Sequence, residues 1–339
     1  MTERIRVLVV DDSAFARKVL REALSADARI DVVGIARDGL DAIEKIAELS
    51  PDVVTLDLVM PNLDGLGVLE ALRIQPRAPR VVVVTMTDPV SVLGVAALTA
   101  GAFDVVHKPT ALATDRLYEL SDELVAKVVA AARAPADMHQ APRMAPPSSR
   151  ERGASHTSIL VVGASTGGPR AVTALLHALP AQLAVPVAIV VHMPPGYTEA
   201  FAARLDGEVA LRVREAQDGM AFEPGSVVIA RAGMHLRVEH GGAKLDVRPV
   251  EHLHRPSVDE LFSSAAATHG AGVLAVVLTG MGSDGLEGAR AIRAAGGRVI
   301  VEAPSSCVVY GMPRAVFEAG LANEQVPLEE MPRKILEQI

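Results

Sequence analysis

The sequence predicts an α/β protein of two doubly wound parallel sheets, the second with an inserted antiparallel hairpin. Three observations carry this reading. Short Val-rich runs alternate with Ala- and Leu-rich amphipathic stretches, in two separate series. A segment rich in Pro, Ala, Ser and charge, without periodicity, lies between the series. The 339 residues are half hydrophobic, with 3% aromatics and no Trp, so the cores must be built from Val, Leu, Ile and Ala, which suits strands buried on both faces.

The first series occupies residues 1–132. Its predicted strands are RVLVV (6–10), DVVGIA (31–36), VVTL (53–56), VVVVT (81–85) and DVVHK (104–108). Helical patterns lie between them, such as AFARKVLREALSA (14–26), and a fifth helix over about 114–132 places Leu117, Leu120, Leu124 and Val128 on one stripe. Residues 133–157 read as a linker, partly extended by its prolines, serving either as a spacer or as a docking segment. The second series fills 158–339, with strands at SILVVG (158–163), PVAIVVH (186–192), SVVIA (226–230), GVLAVVLTG (272–280) and near RVIVEA (298–303). Within it, HLRVEHGGAKLDVRP (235–249) has two alternating runs about a Gly-Gly turn, the pattern of a hairpin.

Composition narrows the function classes. A formal net charge of -8 argues against a nucleic-acid-backbone binder. The lone Cys307 excludes an intramolecular disulfide and fits a reducing compartment. MTERIRVLVVDD does not read as a signal peptide, and the apolar region 81–106 is broken by Asp88, Pro89 and Asp104. The expectation is a cytoplasmic protein without membrane insertion.

One candidate site combines acids with a lysine. Asp11 and Asp12 follow the first predicted strand and Asp57 the third; Thr85 ends the fourth and Lys108 the fifth. In an open parallel sheet these positions converge at the carboxyl edge, where ligands bind. Any one of them alone reads as a helix cap or an ordinary ion pair, but all five at consecutive strand ends read as a site. Crowded carboxylates suit Mg²⁺, and a carboxylate nucleophile beside a lysine and a hydroxyl suits phosphoryl transfer. Residues 5–125 resemble a response-regulator receiver domain, of flavodoxin-like fold, through VVDDS (9–13), LDLVMPNLDGL (56–66), VVVVT (81–85) and HKP (107–109). The resemblance implies that Asp57 accepts phosphate from a histidine kinase. It implies that Asp11, Asp12, Asp57 and the carbonyl of Val59 bind Mg²⁺, and that Thr85 and Lys108 sense the phosphoryl group. Lys108–Pro109 is a candidate cis peptide. One position departs: Val105 stands where receivers often carry a switch aromatic, so the aromatic-flip form of signalling does not carry over.

A second candidate site centres on VVGASTGGPRAV (161–172), read as strand, tight turn and helix, with Ser165 in a G-x-S-x-G elbow. Pro169 suits the first helical turn, and the N–H of Thr166 points toward a developing oxyanion. A dinucleotide-binding turn is the competing reading. Short-chain dehydrogenases need Tyr with Lys four residues later, and Tyr118, Tyr197 and Tyr310 are followed at that spacing by Asp122, Phe201 and Arg314. A serine nucleophile needs a base and an orienting acid. His192 ends one predicted strand and Asp284 lies just past another, although Asp284 in a Gly-rich turn also reads as a turn residue. His177, His235, His252 and His254 lack the strand-end position.

The order Ser–His–Asp is not that of the α/β-hydrolases. Residues 158–339 instead resemble the catalytic domain of chemotaxis protein-glutamate methylesterases, the CheB family. The matching strings are VGASTGGP (162–169), VVHMPPGYT (190–198), HRPSVDELF (254–262), LTGMGSDG (278–285) and SSCVVYGMP (305–313). The resemblance implies Ser165 as nucleophile, His192 as general base and then acid, Asp284 as its orienting group, and the N–H groups of Thr166 and Met281 as the oxyanion hole. It further implies methylated chemoreceptor helices as substrate, glutamine deamidation as a second activity, no cofactor for hydrolysis, and control by the attached receiver. The alternative is a receiver-controlled scaffold or binding module without hydrolase activity.

Overall fold

The structure is a computed structural model that describes residues 4–73, 75, 78–86, 91–108, 114–134, 157–240, 242–247 and 254–339, without the side chains of 91 and 114–120. The chain divides into two compact units, Met1–His139 and Gln140–Ile339.

In the first unit, strands β1 (Ile5–Val10), β2 (Ile30–Ala36), β3 (Val53–Leu56), β4 (Arg80–Met86) and β5 (Asp104–Lys108) form one parallel sheet in the order β2-β1-β3-β4-β5. Helices α1 (Ala14–Ser25), α2 (Gly39–Leu49), α3 (Gly65–Arg73), α4 (Ser91–Thr99) and α5 (Thr114–Arg133) connect and flank it. Val7, Val9, Leu20, Leu24, Val53, Val82, Val84, Val106, Leu124 and Val128 build a core from the aliphatic residues that the composition offers. The strand order reverses between β1 and β3, the point where an open sheet leaves a crevice at its carboxyl edge. Asp11 and Asp57 are the first residues past those two strands. The Lys108–Pro109 bond, most of the expected linker and the side chains of Leu117 and Leu120 lie outside the described residues.

The second unit is a seven-stranded parallel sheet in the order β14-β13-β12-β6-β7-β9-β8. Its strands are β6 (Ile159–Ala164), β7 (Val187–Val191), β8 (Arg212–Glu215), β9 (Ser226–Ile229), β12 (Val273–Val277), β13 (Arg298–Glu302) and β14 (Glu324–Val326). Between β9 and β12, the strands β10 (His235–Glu239) and β11 (Gly242–Asp246) pair antiparallel as the expected hairpin; residue 241 of its turn is outside the described residues. Helices α6 (Gly168–Ala178), α7 (Tyr197–Glu208), α8 (Val258–His269), α9 (Leu286–Ala294), α10 (Met312–Glu318) and α11 (Met331–Leu336) complete the unit.

The sequence patterns locate every central strand and miss the two edges, β8 and β14. These are short and polar, RVRE and EQV, as edge strands commonly are. The run 272–280, expected as one strand, leaves the ladder after Val277, because Thr279 N–H turns to the side chain of Glu302 instead of continuing the sheet.

Candidate active site and phosphorylation site

In the first unit four of the five strand-end residues, Asp11, Asp12, Asp57 and Lys108, come together. Lys108 Nζ stands 2.5 Å from both Asp11 Oδ2 and Asp57 Oδ2. Asp57 Oδ1 accepts a hydrogen bond of 2.7 Å from Leu58 N–H. Arg17 clamps the acidic turn from below, donating to the carbonyls of Asp11 and Asp12 at 2.7 and 2.9 Å. Thr85 is buried on β4, in register with His107, the residue before Lys108. Oxygens of Asp11, Asp12 and Asp57 lie within 4.8 Å of one another. Burial raises the Asp11 carboxyl above its usual range despite the neighbouring Lys108. One lysine cannot balance three carboxylates, and hard oxygen donors at this spacing fit a divalent cation such as Mg²⁺. The Val59 side chain is exposed, and its N–H reaches Asp57 Oδ1 at 3.4 Å.

In the second unit, β6 delivers Ser165 into a turn opened by small residues. A Cβ on Gly163 would meet Val258 Cγ1 at 2.3 Å, and one on Gly167 would meet Val308 Cγ2 at 2.3 Å. The left-handed residue of the turn is Gly167, at φ 78°, so the sharp geometry rests on a glycine and not on the serine. Ser165 N–H donates to Thr279 O at 3.0 Å, and Gly168 N–H to Ser165 O at 2.6 Å. Pro169 sits in the first turn of α6, as expected. Strand β7 pairs with β6, and His192 N–H donates to Ala164 O at 3.0 Å, which sets the histidine backbone beside the serine turn.

His192 Nε2 lies 2.8 Å from Asp284 Oδ2. The Asp284 carboxylate accepts three more bonds: Ser257 Oγ and Asp259 N–H to Oδ1, each at 2.9 Å, and Val258 N–H to Oδ2 at 2.7 Å. Two of these donors are the first backbone N–H groups of α8, whose N-terminal end favours negative charge. Burial alone would raise the Asp284 carboxyl; the bonds from His192, Asp259 and Val258 reverse that and hold it well below the usual carboxylate range. His192 Nδ1 is buried without a hydrogen-bond partner. Among the described residues, Ser165 Oγ, Thr166 N–H and Met281 N–H enter no hydrogen bond. The histidine–carboxylate pair is therefore formed, and the serine hydroxyl and both expected oxyanion donors stand unengaged.

Three residues around this site carried no signal in the sequence patterns. Ser257 holds Asp284, and Glu302 holds Thr279. His254 stacks its ring on His192, with centroids 4.2 Å apart. Ser257 and His254 lie in the string HRPSVDELF, whose match offered the available clue.

The two units define a class of protein: a receiver-type acidic pocket joined to an α/β domain with a serine and a histidine–carboxylate pair at the carboxyl edge of its sheet. The model of the CheB methylesterase family matches residues 160–335, and that of the response regulator receiver domain residues 7–120. The chain belongs to the CheB methylesterase family. It is 60% identical to protein-glutamate methylesterase/protein-glutamine glutaminase 5 of Myxococcus xanthus, covering 96% of each chain. It is 43% identical to the protein of that name without number from Geobacillus kaustophilus, covering 99% of each. Among solved structures, the CheB methylesterase catalytic domain of Thermotoga maritima superposes with a TM-score of 0.52 at 40% identity, covering 54% of this chain and 99% of that one.

Proposed function

We propose that this chain is a phosphorylation-activated protein-glutamate methylesterase that hydrolyses glutamyl γ-methyl esters on chemoreceptors and also deamidates receptor glutamines. The observation that carries it is the His192–Asp284 pair, which leaves a buried, unpartnered Nδ1 on the side chain beside the Ser165 turn. With Nε2–H donated to Asp284, Nδ1 holds the lone pair that a general base needs.

Ser165 Oγ attacks the ester carbonyl carbon while its proton passes to His192 Nδ1. Negative charge on the carbonyl oxygen is met by the N–H groups of Thr166 and Met281. As the tetrahedral carbon collapses, the C–O bond to methoxide breaks and the imidazolium returns the proton, releasing methanol. Water then attacks the glutamyl-enzyme by the same route and leaves the free carboxylate. A glutamine side chain follows the same steps with ammonia as leaving group. No cofactor enters these steps.

Residues 1–132 serve as the receiver, 133–157 as the linker and 158–339 as the catalytic domain. Asp57 is the phosphate acceptor and a histidine kinase of a chemosensory pathway the donor. Mg²⁺, held by Asp11, Asp12, Asp57 and the Val59 carbonyl, would neutralise charge on the phosphoryl group; Thr85 and Lys108 take its remaining oxygens. Among the described residues no helix is long and apolar enough to cross a membrane. A cytoplasmic location, where receptor helices and kinase are both reached, fits this scheme. Methanol release from methylated receptor membranes tests the function, and a pure, folded chain that releases none refutes it.

A further inference from the structure

Glu302 ends β13 fully buried, and among the described residues no cation pairs with it. Its Oε2 accepts from Thr279 N–H at 2.8 Å, and its Oε1 accepts from Ser306 Oγ at 2.9 Å. Thr279 is a junction. Its carbonyl accepts from Ser165 N–H at 3.0 Å, and its Oγ1 donates to Thr166 O at 3.0 Å while accepting from Val309 N–H at 2.9 Å. Met281 stands two residues further on. The β12–β13 ladder ends at Val277–Val301, so the Thr279 N–H has left the sheet and is fixed by one side chain.

We propose that Glu302 is a positioning residue for ester hydrolysis: by holding Thr279 N–H, it fixes the residue whose carbonyl and hydroxyl hold the Ser165–Thr166 turn and whose chain leads into the Met281 loop. The proposal rests on the serine-esterase reading above. It assigns a task to a carboxyl whose burial is otherwise a cost without return.

The surroundings say which property of the side chain matters. Burial pushes the Glu302 carboxyl up to about 7, against the bonds from Thr279, Ser306 and Cys307, and Glu329 pushes it further the same way. Cys307 faces it from the loop after β13, its own thiol raised by burial, and Glu329 from the 3₁₀ turn Leu328–Glu330. Glu324 on the neighbouring β14 is paired with Lys334. The groups in contact on the β12 side and in the loop, Thr279 and Ser306, are neutral. Both protonation states keep the brace. The carboxylate accepts both bonds. The acid keeps Thr279 on Oε2 and donates through Oε1 to Ser306 Oγ, which turns its own proton to Ala303 O, 3.3 Å away. Reach, and not charge, is what Thr279 requires.

Two variants of the full chain separate these properties. Glu302→Gln keeps the reach, an acceptor for Thr279 and a donor for Ser306, and loses the charge. Glu302→Asp keeps the charge and withdraws it by one methylene. Methanol release from methylated receptor membranes gives kcat and KM from about pH 6 to pH 8, bracketing the raised carboxyl. Glu302→Gln is expected within about threefold of wild type across that range. Glu302→Asp is expected to lose roughly 10- to 100-fold in kcat, with KM within about twofold, because the loss falls on alignment of the reacting groups. An Asp variant with wild-type kcat overturns the proposal, as does a Gln variant that loses as much kcat as Asp, because reach alone would then not sustain the brace. If the wild type itself releases no methanol, the esterase reading fails and takes this proposal with it.

Discussion

Asp284 Oδ2 lies 2.8 Å from His192 Nε2, and the other ring nitrogen, Nδ1, is buried with no partner. The carboxylate that fixes this ring is itself fixed by Ser257 and by the first N–H groups of α8. The helix terminus therefore sets the carboxylate and the carboxylate sets the ring; in the proposed mechanism, Nε2–H on Asp284 leaves Nδ1 to take the serine proton.

Asp284→Asn tests that chain of causes. The amide presents an NH₂ to donors that expect oxygen, so a buried N–H loses its acceptor. The expected cost is about 1.5–3 kcal/mol of stability, with a fall in kcat on the order of 10³–10⁴-fold. The pH dependence has a definite sign. The Asp284 carboxyl is held below its unfolded value near 3.8, so its contribution is complete above about pH 4 and fades as pH falls through the lower folded value. Urea unfolding should show the wild-type advantage over Asp284→Asn constant near neutrality and shrinking below about pH 4. An advantage that grows on acidification contradicts the assignment.

Ser165→Ala removes one oxygen from a partly buried residue of the turn and leaves the Thr279–Ser165 backbone bond in place. Stability should change by less than about 1 kcal/mol. Turnover should fall on the order of 10⁵- to 10⁶-fold, and His192→Ala should fall nearly as far, because the two act as a unit. Stopped assays of methanol release, with unfolding monitored on the same samples, give both quantities. Near-normal turnover in Ser165→Ala refutes the serine mechanism.

The receiver makes a separate prediction. With Mg²⁺ and a small phospho-donor, the chain should gain an acid-sensitive acyl phosphate that is absent from Asp57→Asn and from wild type in excess chelator. Lys108→Ala removes the cation that stands 2.5 Å from Asp57 Oδ2, so the label should still form while its stimulation of the esterase is lost. Intact-protein mass spectrometry reads the modification. Equal labelling of Asp57→Asn moves the acceptor to another residue.

Much of this was legible because parallel sheets place function at strand ends. Val-rich runs mark the strands, and the residues that end or directly follow each run mark the edge, which located Asp11, Asp57, Lys108 and His192; Ser165 was located by its G-x-S-x-G elbow. Asp284 was placed just past a predicted strand; it sits further along its loop, because β12 ends at Val277, and it also reads as a turn residue. What stayed hidden depends on contacts between distant segments. Nothing local to Ser257 marks its bond to Asp284, 27 residues away. Glu302 reads as a charge ending a strand, and nothing local reveals that it is buried. His254 acquires meaning only when its ring lies on His192. The edge strands β8 and β14 were missed because pairing with one neighbour asks for no apolar run.

The last prediction concerns control of one site by the other. The proposed linker, 133–157, tethers the receiver to the catalytic domain at an effective concentration that can reach about millimolar. A weak association then suffices to keep receptor helices from Ser165 in the unphosphorylated chain. In the proposed scheme, phosphorylation would add charge at Asp57 and draw Thr85 and Lys108 toward the new oxygens, changing the receiver surface. Weakening the association by about 1.4 kcal/mol raises the ratio of open to closed chains roughly tenfold. Two results are expected together. Removing residues 1 to about 150 should raise basal methanol release, a deletion made reasonable by the independent core of the second unit. Phosphorylation should stimulate the intact chain and leave the truncated one unchanged. If the truncated chain is no faster than the unphosphorylated whole, inhibition by the receiver is wrong, and phosphorylation must act by promoting engagement of the receptor.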